Sequence, residues 1–482
     1  MVTSPAPASL VTPDDEVFWS LRKTAPPRSE RYRLGRQLRR IVPRTSLGQW
    51  TESLGRPDPV ELIKASHVGR LDELIPTRVA RMVASPYGFL RGTAVVMASD
   101  LAALPRTGIT PVICGDAHLG NFGFYASPEG ELVIDLNDFD EAHPGGWEWD
   151  LRRLTASIWV AGRHNGATEE QCEAATLACV AAYRTAMAQL ARLPLLARSY
   201  NRFDVETVRR STSERSLSRE IQRAARRART RTSDRALPRY TAQQEGRRRI
   251  VEEPPLITHL TVAEEESIAA GLDDYLATLA PHWRRVLGGY AIDDMVHKVV
   301  GVGSVGLRAY VVLLEGSSPK DVVFLQLKQA RRSVFGPYVH GDLAWHEHQG
   351  RRVVEYQQAL QTVSDPLLGW TTVDDRQYYV RQFRNMKGTV PIDALDAAAL
   401  SAYGALVGQL LAKGHARTSG ASLIAGYAGS SDRLDVALAR FAKAYADQTE
   451  RDHARLVAAV TRGELPCAEP PPGNGSAFRP GG

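Results

Sequence analysis

The sequence predicts an α+β protein of two lobes, and three observations carry that expectation. At 482 residues with 43% hydrophobic content, the chain is long for a single core. Its texture changes abruptly at Met295, from helix-patterned segments to β-branched and aromatic runs separated by turn residues. The residues suited to chemistry fall in two stretches, one on either side of that change.

In chain order, a Pro- and Arg-rich leader, 1–58, is expected to be partly flexible. Residues 59–294 form a mostly helical part. Within it, 59–110 has helical apolar spacing broken once by Pro86-Tyr87-Gly88, and 112–142 reads as short strands and loops. Ala-rich helices follow at 147–163 and 168–192, with another over about 262–285. Cys172 and Cys179, seven apart, share one face of the second Ala-rich helix. The β-rich part, 295–388, holds the runs Met295–Val300, Leu307–Leu314, Asp321–Lys328 and Gln377–Phe383, interrupted by a helix near 349–363. Helices return over 392–413 and 431–460, so that 389–465 completes the helical part. The tail, 466–482, is too rich in Pro and Gly to fold and is expected to be disordered.

Composition narrows the function classes. No apolar run approaches the roughly 18 residues of a membrane span, and Met-Val-Thr-Ser-Pro-Ala-Pro does not open a signal peptide. A cytoplasmic protein without membrane contact is the expectation. Four cysteines without a Cys-x-x-Cys argue against a disulfide framework and against zinc. The net charge of +6 is uneven, because Arg209–Arg249 holds 14 arginines against four acids, a local net of +10. A solvated helix face is expected there. Nucleic-acid binding through this segment is the alternative, weakened by the lack of aromatic residues among the arginines before Tyr240.

The first chemical constellation is Cys114-Gly-Asp-Ala-His-Leu-Gly-Asn121, followed by the strand-like Val133-Ile-Asp-Leu-Asn-Asp138. This order suits phosphoryl transfer from a magnesium nucleotide, here ATP. An Asp on a loop, Asp116, orients the acceptor hydroxyl, an Asn five residues on reaches the metal, and an Asp at the next strand end holds the metals that bridge the phosphates. Magnesium favours such hard oxygens and keeps several waters. His118 is counted with Asp116 in this catalytic loop, chiefly to orient it. Asp140 and Glu141 are expected to lie outside the chemistry.

The second constellation is Gly301-Val-Gly303-Ser304-Val-Gly306. A strand follows it rather than a helix, which argues for a glycine hairpin laying amides over phosphates rather than for a dinucleotide fold. Lys328, 22 residues beyond Gly306, ends a strand where an ammonium would reach those phosphates; it is one of only eight lysines against 52 arginines. Glu355, on the next helix, is the expected carboxylate partner of Lys328, with Glu347 as the second choice. His340–His348 contains a second His-Gly-Asp but lacks the rest of the motif, and reads as the connection into the Glu355 helix. Arg381, Arg384 and Lys387 fall where a hinge would meet the adenine, and Gly414–Gly420 reads as a helix end with a basic turn.

Together, "SPYGFLRG", "CGDAHLGNFG", "DLNDFDEAHPGGWEWDLRRL" and "YYVRQFRNMKG" resemble the bacterial domain-of-unknown-function 2252 family over about residues 60–460. The inner motif is also similar to the aminoglycoside and choline phosphotransferase branch of the protein-kinase-like fold. That similarity implies Asp116 as catalytic base, Asn121 and Asp135 as metal ligands and Asp138 as a helper. Asp150 would be the buried acid that hydrogen-bonds the catalytic loop from the following helix. Two departures stand out. Cys114 replaces the usual His at a packing position, and the glycine hairpin, lysine strand and Glu helix follow the catalytic loop by about 180 residues instead of preceding it. A circular permutation reconciles the order, and it requires Lys328 and Asp135 to face one cleft. The expected function is ATP- and magnesium-dependent transfer to a hydroxyl of a small molecule. AMP transfer, protein phosphorylation and nucleotide binding without turnover are alternatives on the same fold.

Overall fold

The change of texture near Met295 corresponds to a six-stranded antiparallel sheet. In the computed structural model, residues 26–468 are described except 212–213, 245–246, 300–302, 341–345 and 419. Across the sheet the strands run Gly369–Val373, Arg376–Gln382, Val322–Gln329, Ala309–Glu315, Ala291–Lys298 and Ile257–His259. The first four strands of this sheet in chain order, from Ile257–His259 to Val322–Gln329, pair successively as a meander; the helix Gln349–Leu360 follows, and the next two strands add with Arg376–Gln382 against Val322–Gln329 and Gly369–Val373 at the edge. Both faces of the sheet are covered, so Ala309–Glu315 is apolar at consecutive rather than alternate positions. Tyr310, Val312 and Leu314 meet Ile268, Leu272 and Tyr275 of the helix Val262–Thr278. Val311 and Leu313 face Ala236, Ile250 and Ile257 on the other side. The β-rich part thus begins upstream of residue 295, with the strand Ile257–His259 and the helix that covers it. The helix expected over 262–285 is divided, because Pro281 opens a separate helix, Pro281–Leu287.

The larger core gathers the helices Trp147–His164, Glu169–Leu190, Ala397–Thr418, Ala421–Ala428 and Arg433–Thr461 around the hairpin Phe122–Ala126/Leu132–Leu136. Gly404 and Gly408 let Ala397–Thr418 lie against Glu169–Leu190 backbone to backbone: a Cβ on Gly408 would sit 2.3 Å from the carbonyl oxygen of Cys179. That helix is five residues longer at its C-terminal end than its apolar run suggests, so the stretch read as a basic turn from Gly414 is helical, and the chain turns at Gly420, whose φ is +79°. Cys172 and Cys179 are both buried on one helix face. Of the leader, residues 1–25 lie outside the described residues, and its helix Arg28–Leu38 lies on Ala421–Ala428. The tail expected to be disordered lies, from residue 469, outside the described residues.

The Arg-rich segment Arg209–Arg249 contains an amphipathic helix, Arg215–Arg229, followed by the helix Ser233–Tyr240 and the strands Thr241–Gln244 and Arg247–Ile250. Leu217, Ile221, Ala224, Ala225 and Ala228 enter the larger core, while Arg219, Arg223, Arg226, Arg227 and Arg229 are exposed. A third, small cluster joins the helices Pro59–Ser66, Ile75–Val83 and Pro86–Gly92 to the end of Arg433–Thr461. The sheet and the hairpin Phe122–Ala126/Leu132–Leu136 are joined directly: after Gln382 the chain forms the short strand Gly388–Thr389, which pairs with Phe124 and Gly123. Among the described residues, no helix is long and apolar enough to cross a membrane.

Candidate functional site

The loop Cys114–Asn121 is held from behind by a buried acid. Asp150, near the start of Trp147–His164, accepts hydrogen bonds from the amides of Cys114 (2.7 Å) and Gly115 (2.8 Å). His415 Nε2 lies 3.1 Å from the same carboxylate, and its Nδ1 lies 2.8 Å from the Tyr183 hydroxyl. Three helices of the larger core therefore fix one loop. Gly115 is required there twice over, since its φ is +79° and a Cβ would sit 2.4 Å from the Glu141 carbonyl oxygen.

Asn121 donates its amide to the Asp116 carbonyl at 2.6 Å, which turns its side-chain oxygen away from that bond and leaves it open as a ligand. Asp116 is partly exposed to the cleft and is gripped by Arg153, whose Nε lies 2.5 Å from Oδ1. Arg153 is itself 1% exposed and anchored by Nη2 to the Leu90 carbonyl. Burial raises the Asp116 carboxyl, Arg153 lowers it and the Asp138 charge raises it again, leaving it pushed up to about 7. His118 accepts a hydrogen bond at Nδ1 from the Gly120 amide (3.0 Å), and its Nε2 is 3.8 Å from Asp116, too far for a hydrogen bond. Burial, with Arg91 and Arg153 nearby, holds His118 well below its ordinary value, so it is a neutral element of the loop.

The acids beyond the hairpin separate in a way that corrects the sequence expectation. Asp135, expected as a metal ligand facing Lys328, is 2% exposed and forms an ion pair with Lys413, which projects from Ala397–Thr418. Its Oδ1 also accepts from the Leu136 amide. It does not line the cleft. Asp138, three residues on, does line the cleft with Asp116 and Asn121. Asp140, expected outside the chemistry, forms the contact across the two parts of the molecule: Lys328 Nζ donates to its Oδ2 at 2.9 Å. Burial opposes charge on both groups, and the pairing overrides it, so the carboxyl lies below and the ammonium above its ordinary value. The Oδ1 of Asp140 is buried with no hydrogen-bond partner. Glu141 accepts from the Val334 amide at 2.7 Å.

From the sheet, Lys328 extends the row Phe324, Gln326 to the end of its strand, beside Tyr379. Glu355 is not its partner: it pairs with Arg351 (2.6 Å) and His346 (2.8 Å) at the surface of Gln349–Leu360. The glycine loop joins Ala291–Lys298 to Ala309–Glu315. Gly303 and Ser304 line the cleft, and the carbonyl of Gly306 accepts from the Leu71 amide at 2.8 Å. Gly301 lies outside the described residues, as do residues 341–345 of the second His-Gly-Asp segment, of which His348 caps the helix Gln349–Leu360. Arg381 reaches Gln326, and Arg384 lies over the rings of Tyr240 and Phe383. Lys387 is held well below its ordinary value by burial and by Arg381.

The resulting cleft, of about 330 Å³, brings together Asp116, His118, Asn121, Asp138, Asp140 and the glycine loop. Asp135 and Glu355 lie apart from it, and Lys328 does not line it but meets it through Asp140. A larger cavity, of about 600 Å³ between Arg28, Tyr32, Arg184 and Ser430, contains none of the motif residues. Among the described residues, no three His, Cys, Asp or Glu side chains form a metal cage. The open oxygens of Asn121 and Asp138 and the orphaned oxygen of Asp140 instead suit a hard cation that keeps waters and shares oxygens of a bound phosphate. Sequence reasoning missed Arg153, Lys413 and His415. The last two lie in an otherwise apolar helix, where a lysine in an arginine-dominated chain was the one signal available.

Residues 70–459 match the family described as "Uncharacterized protein conserved in bacteria (DUF2252)", and the chain belongs to that family. No curated protein and no solved structure matches the chain.

Proposed function

We propose that the chain is an ATP- and magnesium-dependent phosphotransferase acting on a hydroxyl of a small molecule, on a two-lobed protein-kinase-like fold permuted in sequence; the juxtaposition of Lys328 with Asp135 that the permutation was expected to need is absent, and Lys328 meets Asp140, five residues further along the same run, instead. The observation that carries this reading is the 2.9 Å contact between Lys328 and Asp140. It closes the sheet onto a loop that comes about 200 residues earlier in the chain. Further support comes from the sheet's topology: after the edge strand Ile257–His259, three successive antiparallel strands follow, a glycine loop joins the first two of these three, the lysine lies on the third and a helix comes next, an order like that of protein kinases. The loop spacing from Asp116 to Asn121, and the Asp138-Phe139 step after the hairpin, fit the same reading.

On this reading, Lys328 and the amides of the glycine loop position the triphosphate, while Asn121 and Asp138 hold magnesium. Bound there, magnesium would supply charge neutralisation at the phosphate oxygens. Asp116 accepts the proton of the acceptor hydroxyl as that oxygen takes the terminal phosphoryl group and ADP leaves. Arg153 fixes which carboxylate oxygen is free to do so. Most of the catalysis is therefore placement and electrostatics. The test is incubation with magnesium ATP and a panel of hydroxyl-bearing metabolites, followed by mass spectrometry. A phosphoryl increment that disappears in Asp116→Ala is the expected result, an adenylyl increment would identify AMP transfer, and ATP binding without any transfer would favour a regulatory module. The Arg153 grip on Asp116 is the observation that favours this last, second reading.

A further inference from the structure

The same cleft is also lined by arginines that the phosphoryl-transfer scheme does not use. Arg70, Arg78 and Arg91 come from the region of the small helical cluster, and Arg331 follows the lysine strand. Arg78 is 2% exposed. Its Nη2 donates to the Gly92 carbonyl at 3.0 Å, and its Nε and Nη1 are buried with no hydrogen-bond partner. The Nε of Arg91 is in the same condition. Arg70 donates to the carbonyls of Ser66 (2.9 Å) and Val305 (2.6 Å), and Arg331 to that of Ser66 (3.3 Å). Among the described residues, none of these four guanidinium groups forms an ion pair with a carboxylate. Burial and mutual repulsion lower Arg70 to about 10 and Arg78 well below its ordinary value.

A buried guanidinium with open donors and no counter-charge is costly to a fold. Arg78 is such a group, Arg91 adds a second buried open donor, and the part-buried Arg70 and Arg331 add their charge beside them, which makes sense as a site for an anion of more than one charge. A carboxylate brings one charge and two oxygens. A phosphate monoester brings between one and a half and two charges with three acceptor oxygens, which matches the paired N–H geometry of arginine. We propose that these arginines form a phosphate pocket and that the group it takes belongs to the acceptor, so that the substrate is a phosphorylated hydroxyl compound. The assignment to the acceptor rests on the phosphotransferase reading, in which Lys328 and the glycine loop already serve the donor. The donor's own phosphates are the other source of the same chemistry, and competition separates the two.

The experiment is calorimetric titration of the full chain with inorganic phosphate, alone and after saturation with a non-hydrolysable ATP analogue and magnesium. Wild type is expected to bind phosphate in both states, and Arg78→Met to weaken that binding by about tenfold or more while the analogue binds as before. Arg331→Gln, at a less buried position, gives the same readout should Arg78→Met fail to fold. Phosphate binding that vanishes once the analogue is bound would assign the arginines to the donor and overturn the proposal. So would the absence of phosphate binding by wild type, or unchanged binding in both variants. Failure of the analogue to bind wild type, with phosphate binding still lost in the variants, counts against the phosphotransferase reading and for the phosphate pocket.

Discussion

Asp135 and Asp138 are three residues apart in one short run, and their partners give them opposite roles. Asp135 is sealed against Lys413, so Asp135→Asn leaves a buried ammonium uncompensated and is expected to cost about 3–5 kcal/mol in urea unfolding. Asp138 lines the cleft; Asp138→Asn should leave stability within about 1 kcal/mol and abolish magnesium-dependent nucleotide binding. If the two variants exchange these phenotypes in paired unfolding and magnesium titrations, the assignment of the metal ligand is wrong. Asp116 gives a pH prediction. Its carboxyl titrates near 7 in the folded chain, so kcat/KM should rise with pH through an acidic limb near 7, and Asp116→Ala should lose at least about 100-fold in kcat. The stability sign follows from the same shift. A carboxyl raised on folding contributes stability that is full below its unfolded value and is lost as the pH climbs through about 7.

At the scale of elements, the loop Cys114–Asn121 depends on a backbone that a single residue type can adopt. Gly115→Ala combines a left-handed φ of +79° with a contact at 2.4 Å, and is expected to cost about 1–3 kcal/mol in thermal or chemical unfolding and to displace the loop amides from Asp150. The parts of the site legible in the sequence were those fixed by local spacing: the run Asp116 to Asn121, the glycine loop and Lys328 at a strand end. The parts that were not legible depend on which way a side chain points across a buried element. Leu132–Leu136 is buried at all five positions, so alternation could not say which face Asp135 takes. Ala397–Thr418 is buried nearly all round, which hid the fact that Lys413 and His415 project toward two different acids. Glu355 was the nearest carboxylate on the following helix, but its strand and helix register aims it at Arg351 and His346, and the lysine's partner came from the hairpin exit instead.

For the whole molecule, the two-part α+β organisation followed from the change in texture at Met295, and the sheet's content followed from four of its strands. The upstream start of the sheet at Ile257 was masked by the helix between its first two strands. Gly388–Thr389 joins the sheet to the loop hairpin directly, by pairing with Phe124 and Gly123. Magnesium nucleotide is expected to slow hydrogen exchange in residues 303–308 and 322–329, and to leave Ala397–Thr418, which is buried in the larger core, unchanged. The central claim is that one cleft, assembled from two distant stretches of the chain, holds a magnesium nucleotide. A crystal structure with a non-hydrolysable ATP analogue and magnesium tests it most directly. The account predicts the triphosphate between Lys328 and the glycine loop, with the metal on Asn121 and Asp138; a nucleotide seated elsewhere, or a metal held by Asp135, would contradict it.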